Sequence, residues 1–302
     1  MSFWKRILKS TPKTHEDVRA TEILPVSDDI TLIATLYDSM PSATFTPLLN
    51  LGWELTGSFT MWEVANFVRE HKKDWPHHTL FAVLEDVGQA FYTSGHSLMS
   101  HDLDDIDPDK QTGLHPSSFQ SFSADEPKEF CGLCHPSEFP IRHEMFMDFV
   151  AEKNSTGWFN RLSWNESGYS CPSLIGANTV RPKLEDWRWP RDKKSFVMQV
   201  PVARSCDAIS AFVNGYFASD LQPHENYFLA RALEEKFGLQ IFGLGASYAG
   251  YMRDKALSEK EANAFGVFLA RLYSDEPSRD LINKIANIAM GQHTLFLAYV
   301  DQ

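Results

Sequence analysis

Cysteine is scarce in this chain, with four in 302 residues. So few thiols, behind an opening MSFWKRILKSTPK that lacks an apolar export core, predict a reducing, cytoplasmic setting without a disulfide framework. Long hydrophobic runs are also missing; none approaches the roughly 20 residues that a membrane-crossing helix requires. Basic residues are the minority, 28 Lys and Arg against 40 Asp and Glu, for a formal net charge of −12. That deficit argues against a general nucleic-acid binder, whose phosphate contacts need a basic surface. Complete catalytic motifs are missing as well. There is no G-x-S-x-G and no P-loop, and His143-Glu144 lacks the second histidine of a metalloprotease helix.

What is present is apolar bulk. Hydrophobic residues make up 43% of the chain, with 22 Phe and 8 Trp, enough for a substantial core. Three regions follow from the patterning. Residues 15–100 read as an N-terminal α+β region, 101–194 as an irregular middle containing Cys, His and Trp, and 195–302 as a C-terminal α+β domain. In the first, ITLIATLYDSM (30–40) has helical spacing, and Thr60 with Glu63 forms a capping box ahead of MWEVANFVREHKK. TLFAVLEDVGQAFYTS (79–94) reads as two strands about a turn near Asp86–Gly88. In the middle, IRHEMFMDFVAEK reads as a helix with Ile141, Met145 and Phe149 on its apolar side, and WFNRLSW (158–164) as a strand.

The last region is the most regular. SFVMQVPVA reads as a strand leading into a short helix, and Pro223 to Phe237 as a helix stopped by Gly238. A strand pair spans LQIFGLG and ASYAGYMRD; two helices, one boxed by Ser258 and Glu261, precede a closing strand, HTLFLAYV. The expected fold is therefore α+β, with mixed or antiparallel sheets and helices packed on one face, built as two related subdomains around an irregular middle. ILPVSDDITLIATLY (23–37) faintly echoes VPVARSCDAISAFV (200–213), which is the basis for the expected relation.

From about Met198 to Asp301 the chain resembles an uncharacterised bacterial domain family of unknown function. The resemblance is carried by VPVAR, LARALEEKFGLQIFGLG, LSEKEANAFGVFLARLYSDEP and the closing LFLAYVD. Ala298-Tyr299-Val300-Asp301 keeps the terminal Asp of the family's last strand without its tryptophans, and Ser274-Asp275-Glu276-Pro277 replaces its Cys-Pro-Asp. The resemblance implies the α+β fold and no activity.

Three segments carry candidate chemistry. CGLCH (131–135) spaces Cys131 and Cys134 to chelate from one turn, and His135 and His143 are the candidate further ligands of a structural zinc. The same string could attach haem, but the missing export core opposes that. Asp102, Asp104, Asp105, Asp107 and Asp109 form an acidic run; Lys110 and Pro116 occupy the positions where a calcium loop needs Gly and Glu. Trp187, Arg188, Trp189 and Arg191 combine the residue types that most often carry interface energy. Two functions remain. One is a cytoplasmic protein-binding protein, an immunity protein that occludes a toxin or effector with a basic surface through the acidic run or the Arg/Trp segment. The other is a zinc-dependent hydrolytic enzyme using the Cys/His-rich middle.

Overall fold

The computed structural model describes residues 21–25, 31–37, 48–49, 51–107, 109, 111–120, 127–130, 132–164 and 193–300. The first third supplies strands β1 (Thr21–Pro25), β2 (Thr31–Tyr37), β3 (Gly52–Ser58) and β4 (Thr79–Val83). A short pair, β5 (Phe119–Gln120) and β6 (Glu129–Phe130), lies in the middle. Strands β7 (Lys193–Val200), β8 (Gln240–Leu244), β9 (Tyr248–Met252) and β10 (Thr294–Ala298) follow. Apart from β5 and β6, they join in one eight-stranded sheet, ordered β1-β2-β3-β7-β4-β8-β9-β10. Every neighbouring pair is antiparallel except β4 with β8, which is parallel. The fold is α+β with a mixed sheet, as the patterning implied.

The period-two alternation of the central strands sends apolar side chains to both faces. On β7, Phe196, Met198 and Val200 enter one core and Val197 the other; on β4, Phe81 and Val83 oppose Leu80 and Ala82. The smaller core is closed by α1 (Met61–His71) through Val64, Phe67 and Val68. The larger holds residues of α2 (Val87–Ser100), α3 (Phe139–Ala151), α4 (Pro223–Phe237), α5 (Glu259–Leu269) and α6 (Arg279–Ala289). The expected boxes at Thr60/Glu63 and Ser258/Glu261 both form, and Gly238 ends α4 with φ of 64°. That left-handed turn carries no steric penalty for glycine.

Four local expectations are corrected. Residues 31–37 form a strand: β-branched Thr31, Ile33 and Thr35 alternate with buried Leu32 and Ala34, so pairing with β1 and β3 overrides the helical spacing. This also breaks the echo with 200–213, where Ser205–Ala211 is a 3₁₀ helix. After β4 the chain forms a helix, not a second strand, because Asp86 caps it by accepting from the Gln89 N–H at 2.9 Å. On α3 the buried side chains are Phe139, Arg142, Phe146 and Val150, while Ile141 is exposed. Phe146 packing on Tyr227 fixes that rotation. Finally, WFNRLSW is not a strand: Trp158 is buried, Asn160 has positive φ, and Arg161 and Leu162 donate to the Leu272 carbonyl.

Parallel pairing brings the C-terminal ends of β4 and β8 together, the place where α/β sheets often hold ligands. Here it is filled by protein. Glu85, buried at φ of 62°, accepts from Ser247 N–H at 2.6 Å and Tyr248 N–H at 2.9 Å. The Gly245 carbonyl receives Asn214 Nδ2 at 2.9 Å and the Tyr299 hydroxyl at 2.6 Å. A methyl group on Gly245 would meet a Glu85 carboxylate oxygen at 2.5 Å, so that residue must lack a side chain. Gly243-Leu244-Gly245 is thus a tightly packed hairpin approach.

One buried group works against stability. The Tyr251 hydroxyl, inside the larger core, has no hydrogen-bond partner among the described residues. Leaving such a group unsatisfied costs about 1–3 kcal/mol. Tyr251→Phe is therefore expected to raise unfolding stability by about 1 kcal/mol in urea denaturation.

Candidate protein-binding surface

Helix α2 contains no charged residue. Its inner face places Ala90, Ser94 and Leu98 in the interior. Its outer face carries Tyr92, His96 and Met99 at spacings of four and three, with Tyr92 55% and Met99 53% exposed. The rings of Tyr92 and His96 are 4.3 Å apart, and His96 stacks on Tyr216 at 4.8 Å. Tyr216 in turn lies 4.9 Å from Phe217, itself 51% exposed. Two distant segments thereby form one aromatic surface. Contiguous exposed apolar area of this kind marks interaction sites on soluble proteins.

The loop bearing Tyr216 and Phe217 is fixed from beneath. Gln222 Nε2 donates to the Phe217 carbonyl at 2.8 Å, and Arg161 donates to the carbonyls of Ala218 at 3.1 Å and Asp220 at 2.8 Å. Arg161 also pairs with Glu225 at 2.7 Å. Asn226 Nδ2 holds the Leu221 carbonyl at 3.0 Å. A surface held this way loses little freedom on binding.

The acidic run begins where α2 ends. His101 Nε2 is 3.1 Å from Gln222 Oε1, which ties the start of the run to the aromatic loop. Leu103 and Ile106 are buried, and around these anchors Asp102, Asp105, Asp107 and Asp109 are exposed. Leu103 N–H donates to the Leu98 carbonyl at 3.0 Å, and Gln111 holds the Ile106 carbonyl at 2.9 Å. Asp104 differs from the others. It is half-buried, and burial pushes its carboxyl above the usual range, partly opposed by its own backbone hydrogen bond and the buried Arg142 charge. The run is thus an apolar-anchored segment presenting four carboxylates outward. Beside aromatic rings it suits a partner's arginines, which can stack and pair at once.

The other sequence candidates do not gather here. Cys131, Trp187, Arg188, Trp189 and Arg191 lie outside the described residues. Cys134 is buried, His135 stacks on His115 at 3.6 Å, and His143 Nδ1 is 3.1 Å from Ser210 Oγ. Among the described residues no three His, Cys, Asp or Glu side chains come together as a metal site. His96 and His101 are likewise apart in their contacts: His96 faces Tyr216 and His101 faces Gln222. Tyr92, Met99, Tyr216 and Phe217 escaped the sequence reading. For Tyr92 and Met99 the signal was the helical spacing within 87–100, hidden while 79–94 was read as two strands.

The middle region carries a different device. His115-Pro116-Ser117 and His135-Pro136-Ser137 both open 3₁₀ turns, each capped by the histidine Nδ1 accepting from the serine N–H. Glu138 receives both the His115 N–H and the Ser118 hydroxyl, joining the turns. Burial, and secondarily the His115 ring, hold His135 below its ordinary value of 6.5; Glu138 opposes this. The folded state therefore favours neutral His135. Its contribution is full above about pH 6.5 and is lost as pH falls through the lowered folded value. Amide exchange of the Ser137 N–H is expected to accelerate as pH is lowered from neutrality into the acid range, relative to the same turn in His135→Asn, whose oxygen still accepts.

An α+β protein with an ordered aromatic and acidic surface is what the fold and this geometry define. Comparison of the chain with protein-family models, curated proteins and solved structures gives no match. No helix among the described residues is long and apolar enough to cross a membrane.

Proposed function

We propose that this chain is a protein-binding protein that holds a basic partner, a toxin or effector met in the cytoplasm, by direct occlusion. The observation that carries the reading is the Tyr92–His96–Tyr216–Phe217 ring surface, together with an acidic run of four outward carboxylates whose start is tied to the same loop through His101 and Gln222. Rings of this kind supply the slow-dissociating centre of an interface, and the charges at its rim steer the encounter. The exposed Asp102, Asp105, Asp107 and Asp109 carboxylates act chiefly on association rate and salt dependence.

The experiment is affinity capture from the native host with the wild-type chain and with a variant carrying Lys at 102, 105, 107 and 109. A captured protein is then purified and titrated calorimetrically against both. The expected partner has a basic surface, binds the wild type more weakly as salt rises, and loses at least about tenfold in affinity for the variant. A partner that binds both proteins alike, at all salt concentrations, contradicts the reading.

A further inference from the structure

We propose that a cleft between the end of α1 and the starts of β4 and β8 binds a small carboxylate carrying one flat apolar ring. The cleft measures about 130 Å³. An apolar protein cavity of roughly 150 Å³ holds a benzene molecule, so the space fits one ring. It shares no residue with the aromatic and acidic surface, and its occupant is independent of any protein partner.

The lining selects the chemistry. One wall is apolar, built from Val68, Leu80, Phe242 and Met252. Trp75 closes a side, held edge-on by Trp53 at 5.9 Å and by His78 at 5.8 Å. Both hydroxyls at the cleft have already spent their protons. Ser205 Oγ donates to Glu234 at 2.8 Å and accepts from Ile241 N–H at 3.0 Å; Thr79 Oγ1 donates to the Val202 carbonyl at 3.1 Å. Gln240 Oε1 is taken by the Lys72 ammonium. The side-chain donors left are the remaining Lys72 hydrogens, the Gln240 amide, the His78 ring and the Trp75 indole N–H.

Among the described residues no carboxylate lines the cleft, and Lys72 is the one cation there. Burial, then His77, holds His78 below its ordinary value, so His78 adds a donor and no second charge at neutral pH. An occupant must therefore bring hydrogen-bond acceptors and negative charge to the Lys72–Gln240 end, with its apolar part against Phe242 and Trp75. A carboxylate on a single ring meets both demands in the available volume. A larger dianion would not fit, and an amine would meet the Lys72 charge.

The test is ligand-observed NMR and calorimetric titration of the full chain with benzoate, phenylacetate, benzylamine and benzyl alcohol. At least one of the two carboxylates is expected to bind saturably below about 10 mM, and the amine and alcohol at least about tenfold more weakly. Lys72→Met, at an exposed position, is expected to weaken carboxylate binding by at least about tenfold while circular dichroism and melting stay unchanged. Trp75→Phe tests the ring wall and is expected to weaken binding of the carboxylate while keeping its preference over the amine. No binding by either carboxylate, equal binding of benzylamine, or full affinity in Lys72→Met would each overturn the proposal.

Discussion

Glu85→Ala is expected to lower the unfolding free energy by about 3–5 kcal/mol, the largest single-residue effect anticipated on this fold. Its carboxylate is buried and receives two backbone N–H groups of the β8–β9 turn at 2.6 and 2.9 Å. Hydrogen bonds to a charged acceptor are worth about 1.5–3 kcal/mol each, and truncation leaves both donors in a dry site. The backbone at Glu85 adds to this, because its φ of 62° persists only where surrounding contacts enforce it. Glu85→Gln is expected to cost less than the alanine variant, since one side-chain oxygen can still accept both bonds. Urea unfolding of the two variants distinguishes this turn-clamp role from simple loss of volume. Equal costs would point to packing alone.

The second large effect concerns recognition. Tyr92→Ala combined with Phe217→Ala is expected to weaken the partner complex by at least about a hundredfold, mainly through faster dissociation. Both side chains are more than half exposed, so their removal should leave the melting temperature within about 2 °C of wild type. The rings bracket the His96–Tyr216 stack, and losing them removes both ends of the aromatic surface. The lysine substitutions at 102, 105, 107 and 109 should act differently. They slow association and flatten the salt dependence, because exposed rim charges steer more than they hold. Surface plasmon resonance separates the two kinetic signatures.

Much of the fold was legible because local signals and tertiary packing agreed. The boxes at Thr60/Glu63 and Ser258/Glu261, the stop at Gly238, the β8–β9 pair and the strand within HTLFLAYV all formed where the residue pattern placed them. Disagreement arose where a short apolar run suited two periods. In 31–37 the sheet neighbours β1 and β3 decided for a strand, and no local signal records the presence of those neighbours. In 87–100 the cap at Asp86 was the available clue, and the strand-favouring run Phe91-Tyr92-Thr93 masked it. The candidate site shows the same division. The acidic run was visible as composition, but its apolar anchors Leu103 and Ile106 gained meaning only once buried. Tyr216 and Phe217 reach His96 across more than a hundred residues of chain, a contact that spacing cannot report.

Hydrogen–deuterium exchange of the chain alone, and saturated with a partner captured from its native host, tests the proposed surface most directly. The account predicts slowed exchange concentrated in residues 92–109 and 214–222, with the Lys72–His78 segment unchanged. Protection elsewhere with those two segments unaffected, or repeated capture that yields no partner at all, would contradict it.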